Sequence, residues 1–136
     1  MIIGGVAGGA STAARLRRLD EQAEIILFEK GEYISYANCG LPYYIGGVIE
    51  ERERLFVQTP ESFKARFNIE VRIKSEVKAI EPENKQVVIK DWATGKTYRE
   101  SFDKLVLSPG AEPVLPPWEG IRTEGIFTLR NVADTD

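Results

Sequence analysis

The 136-residue sequence has no histidine and only one cysteine, Cys39. A single thiol excludes an intrachain disulfide and any multi-cysteine zinc site, and without imidazole the commonest metal ligand and general base are also missing. Sulfur is therefore the most reactive atom in the chain. An excess of positive charge is lacking as well: 18 Lys and Arg against 21 Asp and Glu leave a formal charge of -3. This argues against nucleic acid as the main partner, although local basic stripes remain open. No apolar run approaches the roughly 18 residues of a membrane span. The apolar opening "MIIGGVAGGASTAA" has no basic region before it and is broken by four glycines. That argues against a signal peptide and makes a reducing cytoplasm the default setting. Length alone points to one domain with one moderate core.

The N-terminus reads as a short apolar run ending at Ile3, a glycine-rich turn, the helically spaced "ASTAARLRRLDEQ", and a second apolar run, "EIILFEK". Two such runs joined by a helix make a β-α-β unit with parallel strands. "PESFKARFN" reads as a short helix, with Thr59 as N-cap and Pro60 at its first position. From Glu70 the period changes to two, and "EVRIKSEVKAI", "KQVVIKDW" and "KTYRESF" suggest a three-stranded antiparallel meander. "KLVLSPGAEPVLPP" offers an apolar strand ending in Ser108-Pro109-Gly110, and "GIFTLRNVADTD" one more short strand and the opening of a helix. No internal repeat or low-complexity tract is present.

"GGVAGG" stands where a dinucleotide fold places G-x-G-x-x-G, so that amides at a helix N-terminus can approach a pyrophosphate. Gly4 and Gly9 fit the first and third glycines, while Val6 occupies the second. Glu29 ends the second strand about 20 residues beyond the last glycine, where an acid would bind ribose hydroxyls. A packing turn without a ligand is the alternative. Ser11, Arg15 and Arg18 lie at i, i+4 and i+7 and form one helical stripe, suited to a polyphosphate or, alternatively, to ion pairs with Asp20 and Glu21. "CGLPYYIGG" reads as a helix beginning at Cys39, with Pro42 in its first turn and Gly46-Gly47 ending it. A sulfur at a helix start is favoured as thiolate, and Asn38 beside it can donate to an anion, whereas a structural cysteine would be a small buried hydrophobe.

Together, "IIGGVAGGASTAARLRRLDE", "FEKGEYISYANCGLPYYIGG", "DKLVLSPGAEPVLPP" and "TLRNVADTD" resemble the N-terminal flavin-binding part of the coenzyme A-disulfide reductase branch of the pyridine nucleotide-disulfide oxidoreductases. NADH oxidases and peroxidases are near relatives, but their active-site stretch reads more like S-F-L-S-C-G than S-Y-A-N-C-G. The resemblance implies an α/β, Rossmann-like FAD-binding domain with a central parallel sheet and an inserted three-stranded antiparallel meander. Residues 1–110 would form its first part, and 111–136 an exit segment towards an NAD(P)-binding domain. It implies FAD, with Gly4, Ala7 and Gly9 at the pyrophosphate, Glu29 at the adenosine ribose with Lys30 beside it, Val77 at the adenine and Gly110 closing on the cofactor. Cys39 would attack a coenzyme A disulfide or persulfide, hold CoA as a mixed disulfide, and be regenerated from NAD(P)H through FAD. Ser11, Arg15, Arg18, Ser35 and Asn38 match positions that hold CoA. Members of the family go on to complete both nucleotide domains and to dimerise, so the chain reads as the N-terminal piece of a cytoplasmic homodimer. Two alternatives keep part of this reading: an oxidase or peroxidase in which Cys39 cycles through a sulfenic acid, and a nucleotide-binding module without turnover.

Overall fold

Three consecutive buried residues, Ile26, Leu27 and Phe28, fit a strand covered on both faces, and they form the centre of a parallel sheet. The computed structural model describes every residue from Met1 to Asp136. It falls into two compact units, one made of Met1–Tyr36 with Phe56–Pro109 and the other of Ala37–Leu55 with Gly110–Asp136.

In the first unit, β1 (Ile2–Ile3), α1 (Ala7–Leu19) and β2 (Ile26–Phe28) make the expected β-α-β crossover, with Ile2 opposite Leu27 and Ile3 opposite Phe28. The buried face of α1 is Gly9, Ala10 and Ala13, small residues that let the helix lie close on Ile2 and Leu27. At its far end Arg17 donates to the carbonyls of Phe67 (2.7 Å), Asn68 (3.0 Å) and Glu21 (2.7 Å), which holds the chain that leaves the helix. The helix α3 (Pro60–Phe67) begins as read from the sequence: Thr59 and Ser62 exchange side-chain-to-backbone hydrogen bonds in a capping box, with Pro60 in the first turn.

The alternating run from Glu70 holds two strands. Glu70–Arg72 is β3, paired parallel with β2, and only Ser75–Glu81, β4, belongs to the meander with β5 (Gln86–Asp91) and β6 (Thr97–Ser101). The break is local. Lys74 takes a left-handed φ of 50° and its N–H donates to Gly31 O, while the next N–H, of Ser75, donates to Glu29 O. With β7 (Val106–Leu107) beside β1, the parallel sheet has the order β3-β2-β1-β7. The meander buries Val87 and Ile89 against Ile26 and Phe28. Arg72 fastens the two sheets, reaching Glu100 at 2.5 Å and Glu70 at 2.6 Å and lying over Phe28 and Tyr98. Burial works against its charge, but hydrogen bonds with Glu100, Glu70 and Tyr98 outweigh that and hold the guanidinium protonated.

The second unit has little regular structure. Asn38–Gly40 is a 3-10 turn, α2 is Leu41–Ile45, and further 3-10 turns span Arg52–Leu55 and Val132–Thr135. The strand expected within 125–136 does not form: residues 125–131 carry no helix or strand and Phe127 is 87% exposed, because a strand needs a pairing edge and none meets this segment. The helix opening expected there appears as the turn at Val132, capped by Asn131 and Asp134.

Candidate functional site

The glycine turn is closed by the chain's own packing. A Cβ at Gly4 would fall 1.9 Å from Ser108 O, and one at Gly9 would fall 1.7 Å from Gly4 O. Gly4 also has φ +94°, which L side chains rarely adopt. These two glycines are thus demanded by how β1, α1 and Ser108 meet. Ligand contact is a separate matter, and it is carried by the helix end. Val6 is the N-cap of α1 and has no side chain to cap it, and the first turn holds no acid. No side chain caps the leading amides of this 13-residue helix, and Ala7 and Gly8 lie exposed beside them. Such an end favours a phosphate.

Glu29 follows directly on β2. Its Oε2 accepts the Gly5 N–H and its Oε1 accepts the Gly31 N–H, both at 2.8 Å. One carboxylate therefore ties the glycine turn to the end of the second strand. Each carboxylate oxygen has a second acceptor site, so ribose hydroxyls can still be received. Lys30 beside it is exposed and contributes to holding the Glu76 carboxyl below its usual value, after Lys78 and Trp92. The Val77 side chain packs on the cluster of Val87 and Ile89, at the start of a bulge between Val77 and Ala79.

On α1, Ser11, Arg15 and Arg18 are all exposed. Of the alternative ion-pair partners, Asp20 has its Oδ1 taken by the N–H groups of Gln22 and Ala23. Ser35 is held at φ +46°, its N–H donating to Gly5 O at 2.9 Å and its carbonyl accepting from Val57 at 2.8 Å. A non-glycine residue in that region is strained and persists only when its surroundings over-determine it, as here.

In the second unit, Cys39 is exposed in the middle of the 3-10 turn. The α-helix expected to start at Cys39 starts two residues later and has five residues, Leu41 to Ile45. Pro42 is accommodated in the first turn of α2, where no N–H is needed, and Leu41 before it is already helical at φ −57°, ψ −46°, while the three residues ahead of it take the tighter turn. Gly46 and Gly47 end α2 as read from the sequence, with Gly47 at φ +73°. Gly40 is buried, and a Cβ there would meet Leu55 at 2.9 Å, so the turn carrying the thiol lies directly on Leu55. The Asn38 amide donates to Arg130 O at 3.4 Å, leaving one of its two N–H donors for another acceptor. Gly110 has φ +75° and only the Arg130 guanidinium near it, at 3.7 Å from a built Cβ. The sequence reading missed the amide clamp of Glu29, the role of Arg17, and a pairing of Arg52 with Asp136. Only the first left a signal, a Gly two residues after the strand-ending acid.

A glycine turn between β1 and α1, a parallel sheet and an inserted antiparallel meander define a Rossmann-like α/β protein. The chain belongs to the pyridine nucleotide-disulphide oxidoreductase family, whose pattern it matches over residues 1–136. It is 46% identical over 136 residues to a coenzyme A disulfide reductase of Staphylococcus aureus (strain JH9), covering 100% of this chain and 30% of that protein. The crystal structure of reduced Bacillus anthracis CoADR-RHD superposes with a TM-score of 0.95 at 60% identity, covering 99% of this chain and 24% of that one. A NAD-dependent persulfide reductase from A. fulgidus gives 0.91 at 38% identity, over 98% of this chain and 25% of that one. The chain thus spans less than a third of the length of these relatives.

Proposed function

We propose that these residues supply the first part of the FAD site and the redox thiol of a reductase of coenzyme A disulfides or persulfides that draws on NAD(P)H. The observation that carries the reading is the only cysteine standing exposed on a turn, instead of buried as a small hydrophobe. The similarity to a coenzyme A disulfide reductase and to a persulfide reductase supports the choice of acceptor. Residues 1–110 form the first part of the FAD domain and 111–136 lead out of it, within a complete protein that is a homodimer.

The uncapped start of α1 suits a pyrophosphate, with Gly4, Ala7 and Gly9 lining the turn. Glu29 receives ribose hydroxyls on its remaining acceptor sites, with Lys30 beside it, Val77 serves the adenine, and Gly110 is the residue at which the Ser-Pro-Gly turn closes on the cofactor. Bound FAD supplies the electron pair that reduced nicotinamide donates and the sulfur accepts. Ser11, Arg15, Arg18, Ser35 and Asn38 hold the polar end of CoA by charge and hydrogen bonding. The Cys39 thiolate attacks one sulfur of the substrate disulfide. A new S–S bond to Cys39 forms, and the old bond's electron pair leaves with the departing CoA thiolate, which takes up a proton.

The test uses the complete protein. FAD released on denaturation and NAD(P)H oxidation dependent on CoA disulfide are both expected, with turnover abolished and FAD retained in Cys39→Ser. Arg18→Ala should raise KM for CoA disulfide and leave FAD content unchanged. Bound FAD with turnover of peroxide or oxygen but not of CoA disulfide would defeat the proposed acceptor. Absence of FAD would defeat the whole reading.

A further inference from the structure

The segment that carries Cys39 has few means of its own to stay in place. Its helix α2 has five residues, too short to be stable alone, and its 3-10 turn rests on Leu55. What it packs with is far away in sequence: α2 lies against the turn Val132–Thr135, in which Val132 is buried. The turn Arg52–Leu55 supports the thiol turn, with Leu55 under Gly40 and Leu55 O accepting the Ala37 N–H at 2.8 Å, and it is tied in turn to the segment that carries Val132. Arg52 forms a two-pronged ion pair with Asp136, Nη1 to Oδ1 at 2.8 Å and Nη2 to Oδ2 at 3.1 Å. The Asn38 amide, next to the thiol, donates to Arg130 O.

The receiving segment is itself rigid. Asp134 Oδ2 accepts the N–H groups of Arg130 (2.6 Å) and Asn131 (2.9 Å), Asn131 Oδ1 accepts that of Ala133 (2.9 Å), and Arg130 Nε donates to Ala111 O (3.0 Å). Both prongs of the Arg52 guanidinium are fixed by a planar fork, which specifies direction as well as distance. The Asp136 side chain is 59% exposed, so the pair adds little to global stability. Its consequence is geometric.

We propose that Arg52 and Asp136 are positioning residues for the Cys39 thiol: their ion pair, with the Asn38–Arg130 bond, locks the turn at 38–40 to the platform at 130–136 in the orientation that in-line attack on a disulfide requires. The inference rests on the reading of Cys39 as the attacking thiol, and the experiment separates the two.

Asp136→Asn keeps the size of the side chain but removes its charge and turns one of the two accepting oxygens into a donor, and Arg52→Met removes the fork. In the complete protein both should lower kcat for CoA disulfide about tenfold, short of the roughly 100-fold that an ångström of misplacement can cost. KM for NAD(P)H and FAD content should stay at their original values. Amide exchange of residues 37–46 should quicken about tenfold, while α1 and β1 exchange unchanged, because a local opening is what the clamp suppresses. The exchanged pair, Arg52→Asp with Asp136→Arg, should recover most of both losses. Turnover and exchange in Asp136→Asn within twofold of the unaltered protein would overturn the proposal. So would a loss of kcat that runs in parallel with loss of FAD. Should Arg52→Met fail to fold, the isosteric Asp136→Asn decides alone. If the unaltered protein holds FAD but leaves CoA disulfide intact, the substrate reading falls, and the exchange of residues 37–46 still judges the clamp.

Discussion

Gly8 and Gly9 are neighbours in the first turn of α1, and alanine at the two positions should have opposite effects. A helical Gly→Ala change gains roughly 0.5–1 kcal/mol at either site, from propensity and a less free unfolded chain. At Gly8 the nearest obstacle to a new Cβ is the Ser108 hydroxyl, at 3.3 Å, which can rotate away. At Gly9 the obstacles are main chain, Gly4 O at 1.7 Å and Gly4 C at 2.9 Å, and real Cβ atoms are essentially never found under 3.0 Å. Relief requires lifting the helix start off the strand-to-helix turn, at the upper end of the ~1–3 kcal/mol range for overpacked cores. Gly8→Ala should then be neutral or stabilising. Gly9→Ala should lie about 2–4 kcal/mol below it, which is about 10 °C in melting temperature for a cooperative unit of this size and proportionately less for a larger one. The assay is thermal unfolding of the two variants side by side, with FAD retention measured on the same samples. The comparison largely cancels the unfolded-state contribution, because each variant replaces one glycine by alanine between one alanine and one glycine. Equal melting temperatures, or a less stable Gly8→Ala, would refute the packing argument for the turn.

Glu29→Gln turns one accepting oxygen into a donor facing a backbone N–H, and should cost about 1.5–3 kcal/mol in the flavin-free protein. Loss of FAD affinity with undiminished flavin-free stability would show that the carboxylate does not hold the turn. Arg72→Met strands Glu100 and Glu70 at the seam of the two sheets and should destabilise by about 2 kcal/mol, less than a fully buried pair because the side chain keeps some exposure; Arg72→Lys should recover less than half of it. Denaturant midpoints measure both. The meander should also be acid-sensitive. A hydrogen bond from Thr94 lowers the Asp91 carboxyl, one from Lys78 lowers Glu76 and one from Arg99 lowers Glu81. Such groups bind fewer protons folded than unfolded, so their contribution is whole above the ordinary values, 4.5 for Glu and 3.8 for Asp, and drains away as pH falls through the lowered ones. The denaturant midpoint followed by Trp92 fluorescence should be flat from pH 7 to about 5 and then fall, less steeply in Asp91→Asn; a midpoint constant down to pH 3 would contradict it.

The β-α-β unit was legible because its signals are local and mutually consistent: an apolar run, a glycine turn, small residues on one helix face, a second apolar run. The N-cap at Thr59 with Pro60 after it is legible for the same reason, since the signal is local, while the reciprocal bond from Ser62 is added by the fold. The division of the run from Glu70 was not legible. Alternation of apolar and polar residues continues unbroken through Ile73 and Lys74, and what separates β3 from β4 is a left-handed lysine whose N–H is taken by Gly31, more than forty residues earlier in the chain. Periodicity reports which faces a strand presents, but it carries no information about which neighbour it pairs with. Spacing puts an acid at the end of β2, but only the fold reveals that the Gly5 and Gly31 N–H groups already hold both oxygens of Glu29.

The thiol segment marks the limit of such reading more sharply. Cys39, Pro42 and Gly46-Gly47 identify a short helical element, and its ends were placed within two residues. Its surroundings were not, because they come from a stretch that reads as a proline-rich exit with a strand and a helix start. That stretch forms neither a strand nor a long helix. It contributes carbonyls, a capped turn and a carboxylate, arranged so that Arg52 and Asn38 can grip them. Hydrogen bonds of this kind have no period and no propensity, and those from Asn38 and Arg52 join residues 92 and 84 apart. A three-residue turn followed by a five-residue helix has too little internal cooperativity to hold the thiol in one orientation. The orientation must come from outside, and in this unit the polar fork on Asp136 is that of Arg52, whose own turn supports Gly40 through Leu55. If that geometry sets the rate, substitutions in the "RNVADTD" stretch should alter kcat while sparing both the flavin and the thiol itself.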